Sequence, residues 1–207
     1  MRFFLSFFII FISSVLFSFG IPNEILNFGS AIAGFSGLVL VYYALLNCGS
    51  HKRAAFLYGF FVSFVHLMSS FWLAFFEDFA IFTLGASTLA YFFIAMPFGF
   101  LLYHSLQKSK SLRPFFFAAV WLLWEFAKST GFLAYPWGTT PMICFNLKPF
   151  IQFVDITGVW GLSFIVPLIA ACLGEALQTY AYSANSKAFF KGLTEIKSPL
   201  IFTAFWF

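Results

Sequence analysis

The sequence predicts an all-α polytopic membrane protein with about six complete transmembrane helices and the start of a seventh. Of its 207 residues, 62% are hydrophobic and only 9% are charged, whereas charged residues make up about 25% of a typical soluble domain. The 36 Phe and six Trp are too many for the core of a water-soluble chain of this length. Lipid must therefore solvate much of the surface.

Uncharged runs between charged residues mark the predicted spans, since a spanning helix needs about 20 apolar residues. The first run follows Arg2 and is interpreted as a retained helix, because "FSFG" is a poor signal-peptide cleavage site. The next runs end at "HKR", at "ED" and at the basic residues that follow position 107. The predicted helices cover residues 3–22, 25–46, 54–76, 79–106, 112–130 and 156–180, and a seventh begins in 198–207.

A further uncharged run, 129–147, is predicted to be part of a loop at 131–149 on the outer face. It contains the sequence "GFLAYPWGTTP", and its prolines remove backbone donors that lipid cannot replace. With a loop here and a cytoplasmic N-terminus, most basic residues fall on the cytoplasmic side, as the positive-inside rule requires. Those residues are Arg2, Lys52, Arg53, Lys108, Lys110, Arg113, Lys187, Lys191 and Lys197.

Several function classes lack support in the sequence. The net charge of +4 is small and scattered, so no nucleic-acid partner is predicted. The three cysteines have neither metal nor disulfide spacing, and no metal or cofactor is expected. Cys144 lacks a nearby base that would make it a nucleophile, and mid-helix His66 is predicted to form an interhelical hydrogen bond.

Two polar pairs are candidate substrate-positioning residues. Glu125 and Lys128 share a helix face near the outer membrane boundary. They are interpreted either as an ion pair that orients the following loop or as a contact for a substrate headgroup. Gln152 and Asp155 repeat that spacing at the predicted start of the sixth helix, where an Asp can also simply stabilise the helix N-terminus. Pro136 and Trp137 complete the set, although Trp is common at membrane interfaces as an anchor.

The order of features in two segments resembles the membrane domain of the bacterial apolipoprotein N-acyltransferases. The segments are "WLLWEFAKSTGFLAYPWGTTP" and "IQFVDITGVWGLSFIVPLIAACLGEAL". Lys128 departs from the family, which usually has Arg there, so a bidentate contact would become a point charge. The matching residues are Trp121, Trp124, Glu125, Pro136, Trp137, Gln152, Gly158, Gly161 and Ser163.

The resemblance implies an enzyme of the bacterial inner membrane. Its phospholipid acyl donor would form a thioester on a cysteine, and the acyl group would pass to the α-amino group of the diacylglyceryl-cysteine of a lipoprotein. The family's Glu–Lys–Cys triad lies in a nitrilase-like domain after the seventh helix, and none of it can be assigned here. The chain is therefore expected to be a membrane domain without that C-terminal domain, from a truncated chain or a broken gene.

Such a chain alone would position lipid substrates without catalysing transfer. Two alternatives stay open at this point: a vestigial, non-catalytic membrane scaffold and, with less support, a small-solute transporter. The transporter interpretation would require broken helices that recur in two repeated halves of the chain. Here the Pro and Gly interruptions concentrate in one segment, the predicted loop at 131–149. The sequence does not indicate an oligomeric state.

Overall fold

The computed structural model describes residues 3–23, 25–75, 80–131 and 134–183, and this part of the chain is helical without any β-strand. The fold class predicted from the sequence is confirmed. Two short 3-10 turns, Phe71–Phe75 and Thr140–Cys144, lie between helices. The helices are α1 (Phe3–Gly20), α2 (Ala31–Asn47), α3 (His51–Ser69), α4 (Ala80–Ser105), α5 (Arg113–Ser129), α6 (Lys148–Thr157) and α7 (Val159–Ser183).

Three of the described helices are long and apolar enough to cross a membrane. They are α1, the Phe82–Ser105 part of α4, and the Val159–Ala181 part of α7. Helix α2 is also apolar but shorter, with 17 residues. A polytopic membrane protein follows from these helices, while the number of six spans and their direction stay predictions. The predicted seventh helix lies outside the described residues.

Helix α2 begins at Ala31 rather than at residue 25. The Asn23 side chain accepts hydrogen bonds from the backbone amides of Ile25 and Leu26, which stabilises a turn instead of a helix. The Ser30 side chain then accepts from the amide of Ala33 and caps α2. Local side-chain to backbone bonds therefore override the uncharged run on which the earlier start was predicted.

The predicted helix at 156–180 corresponds to α7, Val159–Ser183, except that its first two residues belong to a separate short helix, α6, which the sequence did not predict. Helix α6 ends at Gly158, whose backbone has φ 68°, a conformation that residues other than glycine rarely adopt. Helix α7 starts directly afterwards at Val159. The predicted 131–149 segment likewise contains the 3-10 turn Thr140–Cys144 and the first residues of α6.

Aromatic rings fill the core around α5 and hold it against α3. The rings of Tyr58 and Trp121 meet edge-on with centroids 5.5 Å apart, and Trp124 meets Phe98 of α4 at 5.2 Å. Elsewhere the helices approach through small residues, as at Ser13, whose hydroxyl donates to the Gly37 carbonyl at 2.7 Å. This packing fixes α5 centrally, with its polar residues facing the other helices.

Candidate functional site

Glu125 is the centre of a buried hydrogen-bond network near the end of α5. It belongs to a stripe of buried residues, Trp121, Trp124, Glu125 and Lys128, whose spacing places them on one helix face. Only 3% of Glu125 is exposed. A carboxylate so deeply buried needs hydrogen-bond donors to replace water, and the surrounding elements supply them.

Four donors converge on the Glu125 carboxylate. The backbone N–H of Thr140 donates to Oε1 at 2.6 Å and the Thr140 hydroxyl donates to the same oxygen. The indole Nε1 of Trp121 donates to Oε1 at 3.2 Å and to the Thr140 hydroxyl at 2.8 Å. Ser163 of α7 donates its hydroxyl proton to Oε2 at 2.5 Å. Glu125 thus joins α5, the Thr140–Cys144 turn and α7.

Lys128 lies one turn after Glu125 but is bound differently. Its Nζ donates to the backbone carbonyl of Trp137 at 2.5 Å and lies 5.7 Å from the centre of the Tyr91 ring. Its own backbone carbonyl accepts from the Tyr135 amide at 2.9 Å. Although Lys128 and Glu125 both belong to the described part of the chain, they do not form an ion pair there. The ion-pair interpretation of these two residues is therefore wrong.

The chain at Tyr135–Gly138 is held against the end of α3. The Ser70 hydroxyl donates to the Tyr135 hydroxyl at 3.0 Å. Gly138 has φ 73°, and a Cβ at this position would lie 2.9 Å from Ser69 Oγ. Glycine is required here both by the backbone conformation and by the close approach. The Ser70 hydroxyl, directly after α3, and the ammonium of Lys128 thus hold this segment from two sides.

His66 of α3 lies beside this segment and contributes to the α3–α4 contact. Its Nε2 forms a hydrogen bond with Ser87 Oγ at 2.9 Å, which confirms the predicted interhelical bond. Its ring centre lies 4.4 Å from that of Tyr91 and 5.3 Å from that of Tyr135. His66 therefore links the two helices next to the Lys128 site.

The other predicted site residues are exposed. Pro136 and Trp137 lie at the surface of the segment that Lys128 holds, and 39% of Trp137 is exposed. Gln152 and Asp155 are exposed on α6. Asp155 lies in the last turn of α6 rather than at a helix start, so the interpretation of it as a residue that stabilises a helix N-terminus is wrong.

A second buried polar cluster was missed by the sequence reasoning. Glu175 of α7 is fully buried and accepts from Arg113 Nη2 at 2.5 Å, from Arg113 Nε and from the Tyr42 hydroxyl. Beside it, the amides of Asn47 and Gln178 bond reciprocally at 2.7 and 3.1 Å. The available signal was Glu175 itself, because a carboxylate flanked by apolar residues requires a partner.

Thiol chemistry is disfavoured at Cys144, the cysteine nearest to the Glu125 network. Cys144 is fully buried, and burial raises the pKa of its thiol to about 12. Cys48 and Cys172 are buried as well. Among the described residues, no group of three or more His, Cys, Asp or Glu side chains could hold a metal ion.

Residues 13–172 match the family model described as the apolipoprotein N-acyltransferase N-terminal domain. The chain belongs to this family. The match includes Glu125 and Lys128, together with their partners Thr140 and Trp137. The family resemblance identified from the sequence is confirmed.

Relatives with this family name include proteins of two Treponema species and of Borreliella burgdorferi. The chain is 98% identical over 205 residues to apolipoprotein N-acyltransferase 2 of Treponema denticola, a match that covers 99% of the chain and 39% of that relative. It is 50% identical over 179 residues to apolipoprotein N-acyltransferase 2 of Treponema pallidum, covering 86% of the chain and 32% of the relative. The apolipoprotein N-acyltransferase of Borreliella burgdorferi is 31% identical over 165 residues, 80% of the chain and 32% of the relative. The chain thus spans well under half the length of the relatives that it matches.

Proposed function

We propose that the chain is the membrane portion of a phospholipid:apolipoprotein N-acyltransferase and that it positions lipid substrates for this reaction. The observation that carries the proposal is the family match over residues 13–172. In the proposed reaction, a cysteine thiolate attacks a phospholipid ester, a lysophospholipid leaves, and a thioester forms. The α-amino group of the diacylglyceryl-cysteine of a lipoprotein then attacks the thioester and releases the thiolate.

The chain's own contribution is to hold an exposed aromatic residue at a fixed place. Glu125 binds the Thr140 end of the segment and Lys128 binds the Trp137 carbonyl. Pro136 and Trp137, which remain exposed, are the direct lipid-contacting candidates. Glu125 and Lys128 then act as positioning residues, because both are buried and bonded to the segment. Rigid support of this kind lowers the cost of ordering a substrate.

Gln152 and Asp155 are proposed to extend the substrate-facing surface along α6. Both side chains are exposed, and the same helix turns Phe150, Phe153 and Val154 towards the core. The exposed side of α6 also carries Ile151 and Ile156, so it presents polar and apolar groups together, which suits a membrane boundary. These two side chains would therefore meet polar parts of the lipid or lipoprotein.

The catalytic nucleophile is proposed to come from a nitrilase-like part of the whole protein that is not in these 207 residues. The burial of all three cysteines supports this division, since a reactive thiol needs a partly exposed, thiolate-favouring site. The proposed location is the bacterial inner membrane with a cytoplasmic N-terminus. The distribution of basic residues in the sequence supports that direction.

An acyl-transfer assay on the whole gene product tests the proposal. The protein is reconstituted in phospholipid vesicles with a diacylated lipopeptide, and the triacylated product is measured by mass spectrometry. Trp137→Ala is expected to lower kcat/KM about tenfold or more, while the unfolding midpoint stays unchanged. Phe75→Ala is the matched control, because Phe75 is an aromatic residue with 77% exposure and no assigned role.

Three results would contradict this proposal. Equal kcat/KM for the Trp137→Ala and wild-type proteins would remove Trp137 from substrate positioning. Acyl transfer by the purified 207-residue chain alone would show that the nucleophile lies within it. Absence of any transfer by the whole gene product would reject the acyltransferase assignment itself.

A further inference from the structure

An open apolar groove lies between α3 and α4. Its volume is about 520 Å³, and it is open along the protein surface rather than enclosed. The buried side chain of Ala55 lies at its base, and α4 supplies exposed Phe and Leu side chains. The lining residues are Ala55, Phe93, Met96, Pro97, Phe100 and Leu101.

The helices on either side of the groove are held rigidly together. Gly99 of α4 lies so close to α3 that a Cβ on it would be 2.7 Å from the Ala54 carbonyl oxygen. Gly59 approaches the Phe92 carbonyl equally closely. Because small residues fix the separation of the two backbones, the groove is a preformed feature.

Basic residues lie at one end of this groove. The His51 ring, in the first turn of α3, lies 4.4 Å from that of Phe100 and 6.3 Å from that of His104. Lys52 is exposed and precedes Ala55 by three residues, so both lie on one face of α3. Further basic residues at this end are Arg53, Lys108, Lys110 and Arg113.

Negative charge at this end is limited in the described part of the chain. The described residues include three carboxylates in all, those of Glu125, Asp155 and Glu175. Glu175 is the one at this end, and it is paired with Arg113. Glu125 lies near the other end of α5, about 18 Å away from Arg113 at 1.5 Å per residue. The groove therefore leads from an apolar surface to a region of excess positive charge.

We propose that this groove binds one acyl chain of an anionic phospholipid and that Lys52, which follows His51 at the start of α3, contacts the phosphate. The lining offers only apolar side chains to the acyl chain. The flexible stem of Lys52 lets its ammonium group follow a mobile headgroup. The site lies near the start of α3, whereas Ser69 near Gly138 lies at the end of that helix, about 27 Å away.

The surroundings favour a lipid over a protein occupant. Helix α4 is long and apolar enough to span a membrane, so residues 93–101 face hydrocarbon when it does so. An extended peptide in that position would leave backbone groups without hydrogen bonds. A second copy of this chain in parallel orientation would bring two basic ends together, which is unfavourable. An anionic lipid satisfies both the apolar groove and the basic end.

Photolabelling of the whole gene product tests this site. The protein is reconstituted in phosphatidylcholine vesicles that contain a small fraction of phosphatidylglycerol with a diazirine in one acyl chain. After irradiation, labelled peptides are identified by mass spectrometry. The peptide covering residues 93–101 is expected to carry more label than the exposed Phe4–Phe11 face of α1.

Charge removal provides the decisive comparison. Lys52→Gln is expected to lower labelling of residues 93–101 about fivefold, the effect of one basic residue near an anionic lipid. Lys148→Gln, a change of another exposed lysine, is expected to leave it unchanged. Ala55→Phe, which fills the groove, is expected to reduce labelling when its unfolding midpoint matches that of the wild type.

Three results would overturn the proposal. One is equal labelling by a phosphatidylcholine probe of the same chain length, since charge would then play no part. Another is unchanged labelling in Lys52→Gln. The third is a cross-link between two copies of the chain at residues 93–101, which would mean that protein covers the groove.

Discussion

At the scale of single residues, Glu125 determines how the segment after α5 folds. A charged group with 3% exposure is stable only when its lone pairs accept hydrogen bonds. Thr140, Trp121 and Ser163 provide these bonds from three different elements. The position of the segment around Trp137 therefore depends on a side chain that never reaches the surface.

Replacement of Glu125 by alanine is expected to destabilise the protein by about 3 kcal/mol, because several buried donors lose their acceptor. Glu125→Gln keeps one acceptor oxygen and is expected to cost less. The free energy of unfolding can be measured by denaturant titration in detergent micelles. Lys148→Gln is the control, with an expected change within about 0.5 kcal/mol. Similar stabilities of Glu125→Ala and this control would contradict the role of Glu125.

The thiol of Cys144 gives a prediction about pH dependence. Since burial raises its pKa to about 12, its thiolate fraction should increase about tenfold per pH unit from pH 7 to pH 10. Because Cys144 is fully buried, iodoacetamide reaches it only when the site opens. At pH 8, its alkylation in the folded protein should therefore be far slower than in the unfolded chain, as measured by peptide mass spectrometry. In the unfolded chain the rate should level off above the ordinary thiol pKa of about 8.5. Equal alkylation rates in the folded protein and the unfolded chain would show that Cys144 is not buried as described.

At the scale of elements, Gly158 separates α7 from the short helix α6, which the sequence did not predict. Its positive φ ends α6, and α7 starts at Val159 and places Ser163 beside Glu125. The amphipathic α6 lies between the held segment and α7. The local backbone conformation of one residue thus decides which side chains α7 presents to the network.

Gly158→Ala is expected to destabilise the protein by about 1–2 kcal/mol, because a Cβ is strained at φ 68° even where space is available. Gly85→Ala is the matched control: neither position has an atom within 4 Å of the added Cβ, but Gly85 lies inside α4, where alanine is preferred. Unfolding free energies of the two variants can be compared directly. A loss in Gly85→Ala as large as that in Gly158→Ala would contradict the conformational explanation.

At the scale of the whole molecule, two buried polar clusters hold the helices together. Glu125 connects α5 to α7 near one end of α5, and Glu175 connects α7 to Arg113 and Tyr42 near the other. Apolar packing in a membrane gives limited preference for one helix arrangement, because lipid is as apolar as the helices. The two polar clusters supply that preference, because each carboxylate bonds only with particular donor groups on the elements around it.

A double-mutant cycle tests the second cluster. Arg113→Met alone leaves the fully buried Glu175 carboxylate without its counter-ion and should cost about 3–5 kcal/mol. The double variant Arg113→Met, Glu175→Met should cost clearly less than the sum of the single changes, because neither charge remains. The free energies of unfolding of the four proteins give the coupling. Additive costs would mean that the pair contributes no specific interaction.

Much of the fold could be predicted because its signals are local. Composition and uncharged runs predict membrane helices, and the bounds of α4 and α5 differ little from those predicted. The predicted start at residue 25 was less accurate, because Asn23 and Ser30 act through individual hydrogen bonds that hydropathy does not record. The division at Gly158 depends on one backbone angle, which glycine permits but does not impose.

The sequence by itself determined the apolar helical class, the candidate residues and, through its motifs, the family. Only the tertiary structure decided that Glu125 binds Thr140 and Ser163 while Lys128 binds the Trp137 carbonyl. The two residues are three apart and share a face, so spacing favours a pair between them. Their actual partners come from distant parts of the chain, and a buried charge takes whichever donors or acceptors packing brings to it.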